Sequence, residues 1–221
     1  MKLLISALVK FTCGLVLVGL LIFLPAGTPA YTKGWLLMGL LFAPMLAAGF
    51  VMFFKNPDFL AKRLDAKEKQ GTQKGVVASS GLMFFAGFVV AGLDFRFGWS
   101  CVPAWVVITA SVLFLAAYGL YAEVMQENAY LSRTIKVEEG QRVVDTGLYA
   151  LVRHPMYMAT LLLFFMIPLV LGSWYALIVF AFYPGIIIVR LKDEEDLLTR
   201  ELPGYEAYKK KVRYRIIPFV W

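Results

Sequence analysis

The sequence predicts an all-α integral membrane protein with about six membrane-embedded helices, and two observations support this fold class. First, 60% of the 221 residues are hydrophobic and the mean hydropathy is +0.71, whereas soluble domains are roughly 45–50% apolar. Second, long apolar stretches recur, and a span needs roughly 20 such residues to cross the hydrocarbon core of a bilayer. They cover residues 3–24, 34–54, 76–93, 101–121, 156–172 and 174–189.

The first four stretches are predicted to be membrane spans. The first has some features of a secretory signal, because Lys2 precedes it and the small-residue sequence PAGTPA follows it. However, Lys10 interrupts it, and it is longer than the apolar core of a signal, which is about 7–15 residues. We therefore interpret it as a retained membrane anchor.

The last two stretches are slightly shorter than a full span, and we expect them to form a helical hairpin. Pro155 suits the first turn of its first helix, where the missing N–H costs little. Before it, Asp145 or Thr146 is predicted to cap a helix that runs toward Arg153. After the hairpin, RLKDEEDLLTREL has a helical apolar face, and YEAYKKKVRY is predicted to form a second amphipathic helix.

Basic residues are concentrated in alternate connections. Segments 55–75 and 122–155 and the tail from residue 190 carry most of them, whereas the other loops hold only Lys33 and Arg96. The positive-inside rule then places both termini and both basic segments in the cytoplasm. Orientation explains the net charge of +7, so no nucleic-acid partner is expected. Turn signals at both ends of 55–75 predict a short surface helix near the lipid head groups.

The chain shows no internal repeat, and we interpret residues 1–221 as one polytopic membrane domain. Residues 1–121 form its four-span half, and residues 122–221 form the half that carries the candidate site. Cys13 and Cys101 lie too far apart in the sequence for a disulfide framework or a metal motif, so no metal site is predicted. The sequence leaves the oligomeric state open.

Polar residues suited to chemistry flank the hairpin. His154, the only histidine, follows Arg153 before the first helix, and Arg190 precedes the acidic run 193–196 after the second. On general grounds such residues anchor helix ends, and Arg190 with Glu194 would form a surface ion pair. Four acids beside a negatively charged leaflet are nevertheless unusual. One pocket of Arg, His and Glu side chains would suit a nucleotide-like cofactor with an anionic end.

The order of these motifs resembles the isoprenylcysteine carboxyl methyltransferase family and its bacterial and archaeal relatives. The pattern is G-x-Y-x-x-x-R-H-P-x-Y, an apolar hairpin, R-x-x-x-E-E-x-x-L, G-Y-x-x-Y and a closing basic segment. In this sequence the pattern consists of Gly147, Tyr149, Arg153, His154, Pro155, Tyr157, Arg190, Glu194, Glu195, Leu198, Gly204, Tyr205 and Tyr208.

The resemblance implies a helical membrane enzyme that binds S-adenosylmethionine at the cytoplasmic face and methylates a lipophilic or prenylated acceptor from the bilayer. It also implies that Arg153 and Arg190 lie near the acceptor as catalytic residues. Substitution of Arg153 or Glu195 by Ala is then expected to abolish activity without unfolding the protein. The residues that the resemblance places around the cofactor are Tyr149, His154, Pro155, Tyr157, Glu194 and Glu195.

Three alternative functions stay open at this stage. The closing sequence VRYRIIPFVW also resembles the carboxyl-terminal segment of membrane sterol reductases, which use NADPH. A phospholipid amine methyltransferase would use S-adenosylmethionine with a different acceptor. In a non-catalytic membrane protein, the polar clusters would only hold helix ends at the interface, where such groups are tolerated.

Overall fold

In the computed structural model, which describes residues 2–64, 71–132 and 134–221, every regular element is helical. A four-residue 3-10 helix, Gly147–Ala150, precedes the hairpin. The all-α prediction is therefore confirmed for this part of the chain. The α-helices are α1 (Lys2–Ala26), α2 (Thr32–Lys55), α3 (Pro57–Leu64), α4 (Gly71–Phe97), α5 (Ala104–Glu127), α6 (Pro155–Leu171), α7 (Trp174–Phe180), α8 (Tyr183–Glu201) and α9 (Tyr205–Lys211).

Among the described residues, five helical segments are long and apolar enough to cross a bilayer. They are α1, α2, α4, α5 and the segment Trp174–Glu201, which contains α7 and α8. Helix α6 has only 17 residues, and at 1.5 Å per residue it is about 25 Å long, less than the roughly 30 Å hydrocarbon core. The chain is thus a multi-pass membrane protein with five full-length candidate spans, and the sixth embedded helix remains a prediction.

The spans pack with α6 along α5 and α1 along α4. Glycines in α4 permit the closest approaches: a Cβ atom on Gly92 would lie 2.6 Å from the carbonyl oxygen of Ile22, and one on Gly87 would collide with the ring of Phe180. Phe114 and Phe180 are fully buried in the resulting core. The core holds the two helices of the hairpin side by side.

Polar contacts tie three connections together at the end of the hairpin opposite the start of α6. The Tyr31 hydroxyl donates to the carbonyl oxygen of Leu171 over 2.5 Å. The Asp94 carboxylate accepts hydrogen bonds from the backbone N–H of Ser100 (2.7 Å), from its hydroxyl (2.6 Å) and from the hydroxyl of Ser173. These contacts fix the turn of the hairpin, so both of its other ends lie at the opposite face of the molecule.

The connection before α6 differs from the sequence prediction. Thr146 makes no side-chain cap bond, and Asp145 instead pairs with Lys211 over 2.7 Å. Gly147 adopts φ = +48°, which favours glycine, and the Glu127 carboxylate fills the space that a Cβ atom there would need. The chain therefore makes a tight turn, and the prediction of a capped helix at this point is wrong.

Helices also lie in the other segments for which the sequence predicts amphipathic elements. Helix α3 begins after Asn56, whose Oδ1 accepts from the backbone N–H of Phe59 over 3.1 Å. Residues 65–70 of the predicted 55–75 loop lie outside the described residues, and residues 71–75 belong to α4 and not to a loop. The helix of RLKDEEDLLTREL continues the hairpin as the end of α8, and α9 follows a turn at Gly204 with φ = +87°. The cytoplasmic location of these elements remains a prediction.

Candidate functional site

The candidate site lies where the start of α6, the carboxyl-terminal half of α8 and residues 212–221 meet. The backbone N–H groups of Arg153 and His154 donate to the carbonyl oxygens of Tyr214 (2.9 Å) and Arg215 (2.8 Å). Pro155 is the first residue of α6, where a residue without an N–H is tolerated. The closing basic segment therefore lies beside the R-H-P motif at the start of the hairpin.

The Glu195 carboxylate is the centre of a buried polar network. Its Oε1 atom lies 2.6 Å from Arg153 Nε and 3.3 Å from His154 Nε2, and its Oε2 atom lies 3.0 Å from Arg215 Nε. Glu195 is only 4% exposed and Arg153 only 8%. Charges with so little access to water are stable only when they are paired and hydrogen-bonded. The network holds α6, α8 and the closing segment together.

Arg153 makes further contacts inside the protein. Its Nη1 atom donates to the carbonyl oxygens of Val212 (2.8 Å) and Arg213 (2.9 Å), while its Nε atom donates to Glu195. Most of the guanidinium group is thus occupied by the protein itself. These contacts indicate that Arg153 positions the closing segment, and its contact with a methyl acceptor remains a prediction.

A second polar chain connects α4, α6 and α8. The hydroxyl of Tyr157 donates to Glu194 Oε2 and accepts from Arg190 Nε over 3.1 Å. Arg190 Nη1 donates to Gln73 Oε1 over 3.2 Å, and Gln73 Nε2 donates to Asp193 Oδ2 over 2.8 Å. Arg190 is therefore held from two different helices.

An open cleft lies beside these two networks. Glu195 and Pro155 are not among its lining residues, because Glu195 is enclosed by its partners and Pro155 is buried at the start of α6. The structure thus brings the predicted residues together. Glu195 and Pro155 lie behind the cleft wall and support it. The sequence-predicted residues that do line the cleft are Tyr149, Arg153, His154, Tyr157, Arg190 and Glu194.

Other parts of the cleft wall come from the connection after α5 and from α9. Asn128 Nδ2 donates to the hydroxyl of Tyr149 (2.9 Å), and the hydroxyl of Tyr208 donates to the carbonyl oxygen of Tyr149 (2.7 Å). Burial raises the pKa of Tyr149 to about 12, so its phenol is neutral. The hydroxyl of Tyr205 is buried and has no partner among the described residues.

Sequence reasoning missed several of these residues. Gln73 stands three positions before the apolar run of α4 and Asn128 directly follows α5, so each is a polar residue at the end of a span. That position is a weak signal, because most such residues only contact head groups. Nothing in the sequence connects Gln73 with Arg190 or Asn128 with Tyr149.

An apolar groove lies between α4 and the α7–α8 segment. Val76, Leu82 and Met83 of α4 line one side, and Phe182 and Ile186 line the other. Leu82 and Phe182 are strongly exposed, so the groove is open on the lipid-facing surface of the spans. One end of the groove is formed by residues that adjoin the Gln73–Arg190 contact, namely Gly75, Val76 and Val189.

Comparison with known proteins gives two findings. Residues 105–200, from α5 to near the end of α8, match the model of the isoprenylcysteine carboxyl methyltransferase family. A Delta(14)-sterol reductase of Mus musculus is 30% identical over 91 residues, which is 40% of this chain. The matched region spans only 22% of the reductase, so that similarity concerns a small part of the larger protein.

Proposed function

We propose that the chain belongs to the isoprenylcysteine carboxyl methyltransferase family, whose model matches residues 105–200, and that it uses S-adenosylmethionine to methylate a carboxylate on a lipophilic acceptor. One observation supports the proposal most directly. A cleft lined by Arg153, His154, Arg190 and Glu194 lies at the end of a membrane-embedded hairpin, so both signs of charge are available beside the bilayer.

The side chains of the cleft fit the chemistry of S-adenosylmethionine. The Glu194 carboxylate can accept hydrogen bonds from a hydroxyl or an ammonium group, and His154 can donate to a carboxylate. The rings of His154 and Tyr157 lie 5.6 Å apart and nearly parallel, and aromatic faces attract a sulfonium cation. When bound, the cofactor would supply an electrophilic methyl group.

The apolar groove supports a lipophilic acceptor. It offers apolar side chains to a hydrocarbon chain and adjoins the Gln73–Arg190 contact at one end. An amphipathic acceptor with its chain in the groove would therefore place its polar end near Arg190. A prenylated cysteine carboxylate has this form, and we propose it as the acceptor class.

The protein's task in such a reaction is alignment. In an in-line displacement the oxygen–methyl bond forms as the sulfur–methyl bond breaks, and the electron pair of the broken bond stays on sulfur. A carboxylate nucleophile loses no proton, so no general base is required. Arg190 would hold that carboxylate, and its orientation by Tyr157 and Gln73 would lower the barrier by positioning and by excluding water.

We further propose that the cleft faces the cytoplasm. The basic residues lie mainly in the connections at the cleft end of the spans, whereas the loops at the other end hold only Lys33 and Arg96. Basic loops remain on the cytoplasmic side. Trp35, Trp99 and Trp174 are exposed near the other end, where an aromatic belt would mark the opposite interface.

The partial similarity to a sterol reductase makes NADPH-dependent reduction the second candidate. Calorimetric titration of the detergent-purified protein with S-adenosylhomocysteine, and separately with NADPH, tests both candidates. We expect S-adenosylhomocysteine to bind, His154→Ala to weaken that binding, and the control Arg96→Ala at the other membrane face to leave it unchanged.

Two results of these titrations would overturn the proposal. Binding of NADPH without binding of S-adenosylhomocysteine would support the reductase. Binding of neither ligand would support a non-catalytic membrane protein. Binding of S-adenosylhomocysteine with no effect of His154→Ala would keep the cofactor but remove His154 from its site.

A further inference from the structure

Gln73 is a buried glutamine that lies outside the family-matched residues. It belongs to α4 and is 0% exposed. Both ends of its amide are used, because Oε1 accepts from Arg190 Nη1 and Nε2 donates to Asp193 Oδ2. A buried amide that is hydrogen-bonded at both ends has a fixed orientation.

Asp193 determines which end of the amide faces Arg190. An ionised carboxylate only accepts hydrogen bonds and a guanidinium only donates them. The amide NH₂ of Gln73 must therefore face Asp193, and its carbonyl oxygen must face Arg190. In these three residues, each polar group therefore has only one possible hydrogen-bonding role, either donor or acceptor.

Arg190 connects the Gln73 side chain to residues that line the cleft. Its Nε atom donates to the hydroxyl of Tyr157, which donates to Glu194. Arg190, Tyr157 and Glu194 all line the cleft, whereas Gln73 does not. Gln73 thus reaches the cleft through Arg190, from a helix in the amino-terminal half of the chain.

We propose that Gln73 is a positioning residue that sets the orientation of Arg190 and, through Tyr157, the wall of the cleft. The inference rests on the proposed function, because it treats the cleft as the cofactor and acceptor site. It adds a residue of α4 to a site otherwise built from residues after position 127.

The test compares affinities for S-adenosylhomocysteine by calorimetry. Gln73→Met keeps the length of the side chain but removes both hydrogen bonds, and we expect it to weaken binding by about fivefold. The exchange variant Gln73→Glu/Asp193→Asn moves the carboxylate to position 73, where it can accept from Arg190 and from the new amide at position 193. We expect the exchange variant to bind within about twofold of the wild type.

Two controls separate positioning from simple packing. Ser80→Ala, on the same helix, removes a hydroxyl that donates to the carbonyl oxygen of Val76, and should leave the affinity unchanged. In an Arg190→Met background, Gln73→Met should not change the affinity further, because the side chain through which Gln73 affects the cleft is absent. If Gln73→Met does not fold, Gln73→Glu alone, which sets a second carboxylate against Asp193, should weaken binding, and adding Asp193→Asn should restore it.

The inference is overturned if folded Gln73→Met binds like the wild type, or if it weakens binding equally in the Arg190→Met background. It is also overturned if the exchange variant fails to recover affinity while it melts at the wild-type temperature. Absence of binding by the wild type would instead contradict the proposed function.

Discussion

At the scale of single residues, Arg153 and Glu195 belong to the sequence motif and also form a contact that stabilises the fold. Both side chains are buried, their contact is 2.6 Å, and Arg153 also holds two carbonyl oxygens of the closing segment. Removing Arg153 leaves the buried Glu195 carboxylate with only Arg215 and His154 as its side-chain partners. The sequence alone led us to expect that Arg153→Ala abolishes activity without unfolding the protein. These contacts indicate that the substitution also destabilises the fold.

We predict that Arg153→Ala lowers the free energy of unfolding by about 3–5 kcal/mol, the usual effect of breaking a buried ion pair. Denaturant unfolding in detergent, followed by circular dichroism, measures this change. Lys192→Ala on α8, where the side chain is exposed, is the matched control and should change little. Unfolding of Arg153→Ala at the wild-type denaturant concentration would refute the structural role.

Tyr205 and Tyr208 provide a second residue-scale comparison, since they lie one turn apart on α9. The hydroxyl of Tyr208 donates to the carbonyl oxygen of Tyr149, whereas that of Tyr205 is buried without a partner among the described residues. We predict that Tyr208→Phe destabilises the protein by about 1–3 kcal/mol, and that Tyr205→Phe is neutral or stabilising. Thermal unfolding of both variants decides the matter, and equal losses would contradict the assigned contacts.

At the scale of elements, the tight turn before α6 depends on a glycine. Gly147 combines φ = +48° with the Glu127 carboxylate in the space of a Cβ atom, and Leu148 N donates to Glu127 Oε2 over 3.1 Å. The turn places the R-H-P motif against the closing segment. A side chain at position 147 would displace this turn and with it the start of α6.

We predict that Gly147→Ala destabilises the protein by at least about 1–2 kcal/mol and weakens binding of S-adenosylhomocysteine. Gly119→Ala is the matched control, because Gly119 is helical and no atom lies within 4 Å of a Cβ atom built there. It should be neutral or slightly stabilising. Identical melting temperatures and affinities for the two variants would show that the turn does not need glycine.

At the scale of the whole molecule, the spans were predictable and the site only in part. Long apolar runs identified α1, α2, α4 and α5, because crossing a bilayer requires length and apolarity, which are local properties. The cleft depends on distances between segments far apart in sequence. Contacts such as Gln73 with Arg190, or Asn128 with Tyr149, leave no periodic signal, and neither does the irregular wall formed by the connection after α5.

The orientation of the whole molecule is open to direct measurement. With Cys13 and Cys101 replaced by Ser, we predict that Thr28→Cys reacts with a membrane-impermeant thiol reagent added to intact cells. Lys210→Cys should react only after the cells are opened, because the basic connections remain in the cytoplasm. The opposite labelling pattern would place the cleft on the outer face of the membrane.

The central claim concerns transfer of a methyl group from S-adenosylmethionine to a lipophilic carboxylate. The most direct measurement reconstitutes the protein in liposomes with an S-prenylated N-acetylcysteine, adds cofactor labelled in the methyl group, and counts label in the organic phase. We predict label that depends on Arg190 and is released as methanol by mild base, as a methyl ester requires. Label no greater than that of Arg190→Met, or label that resists base, would contradict the account.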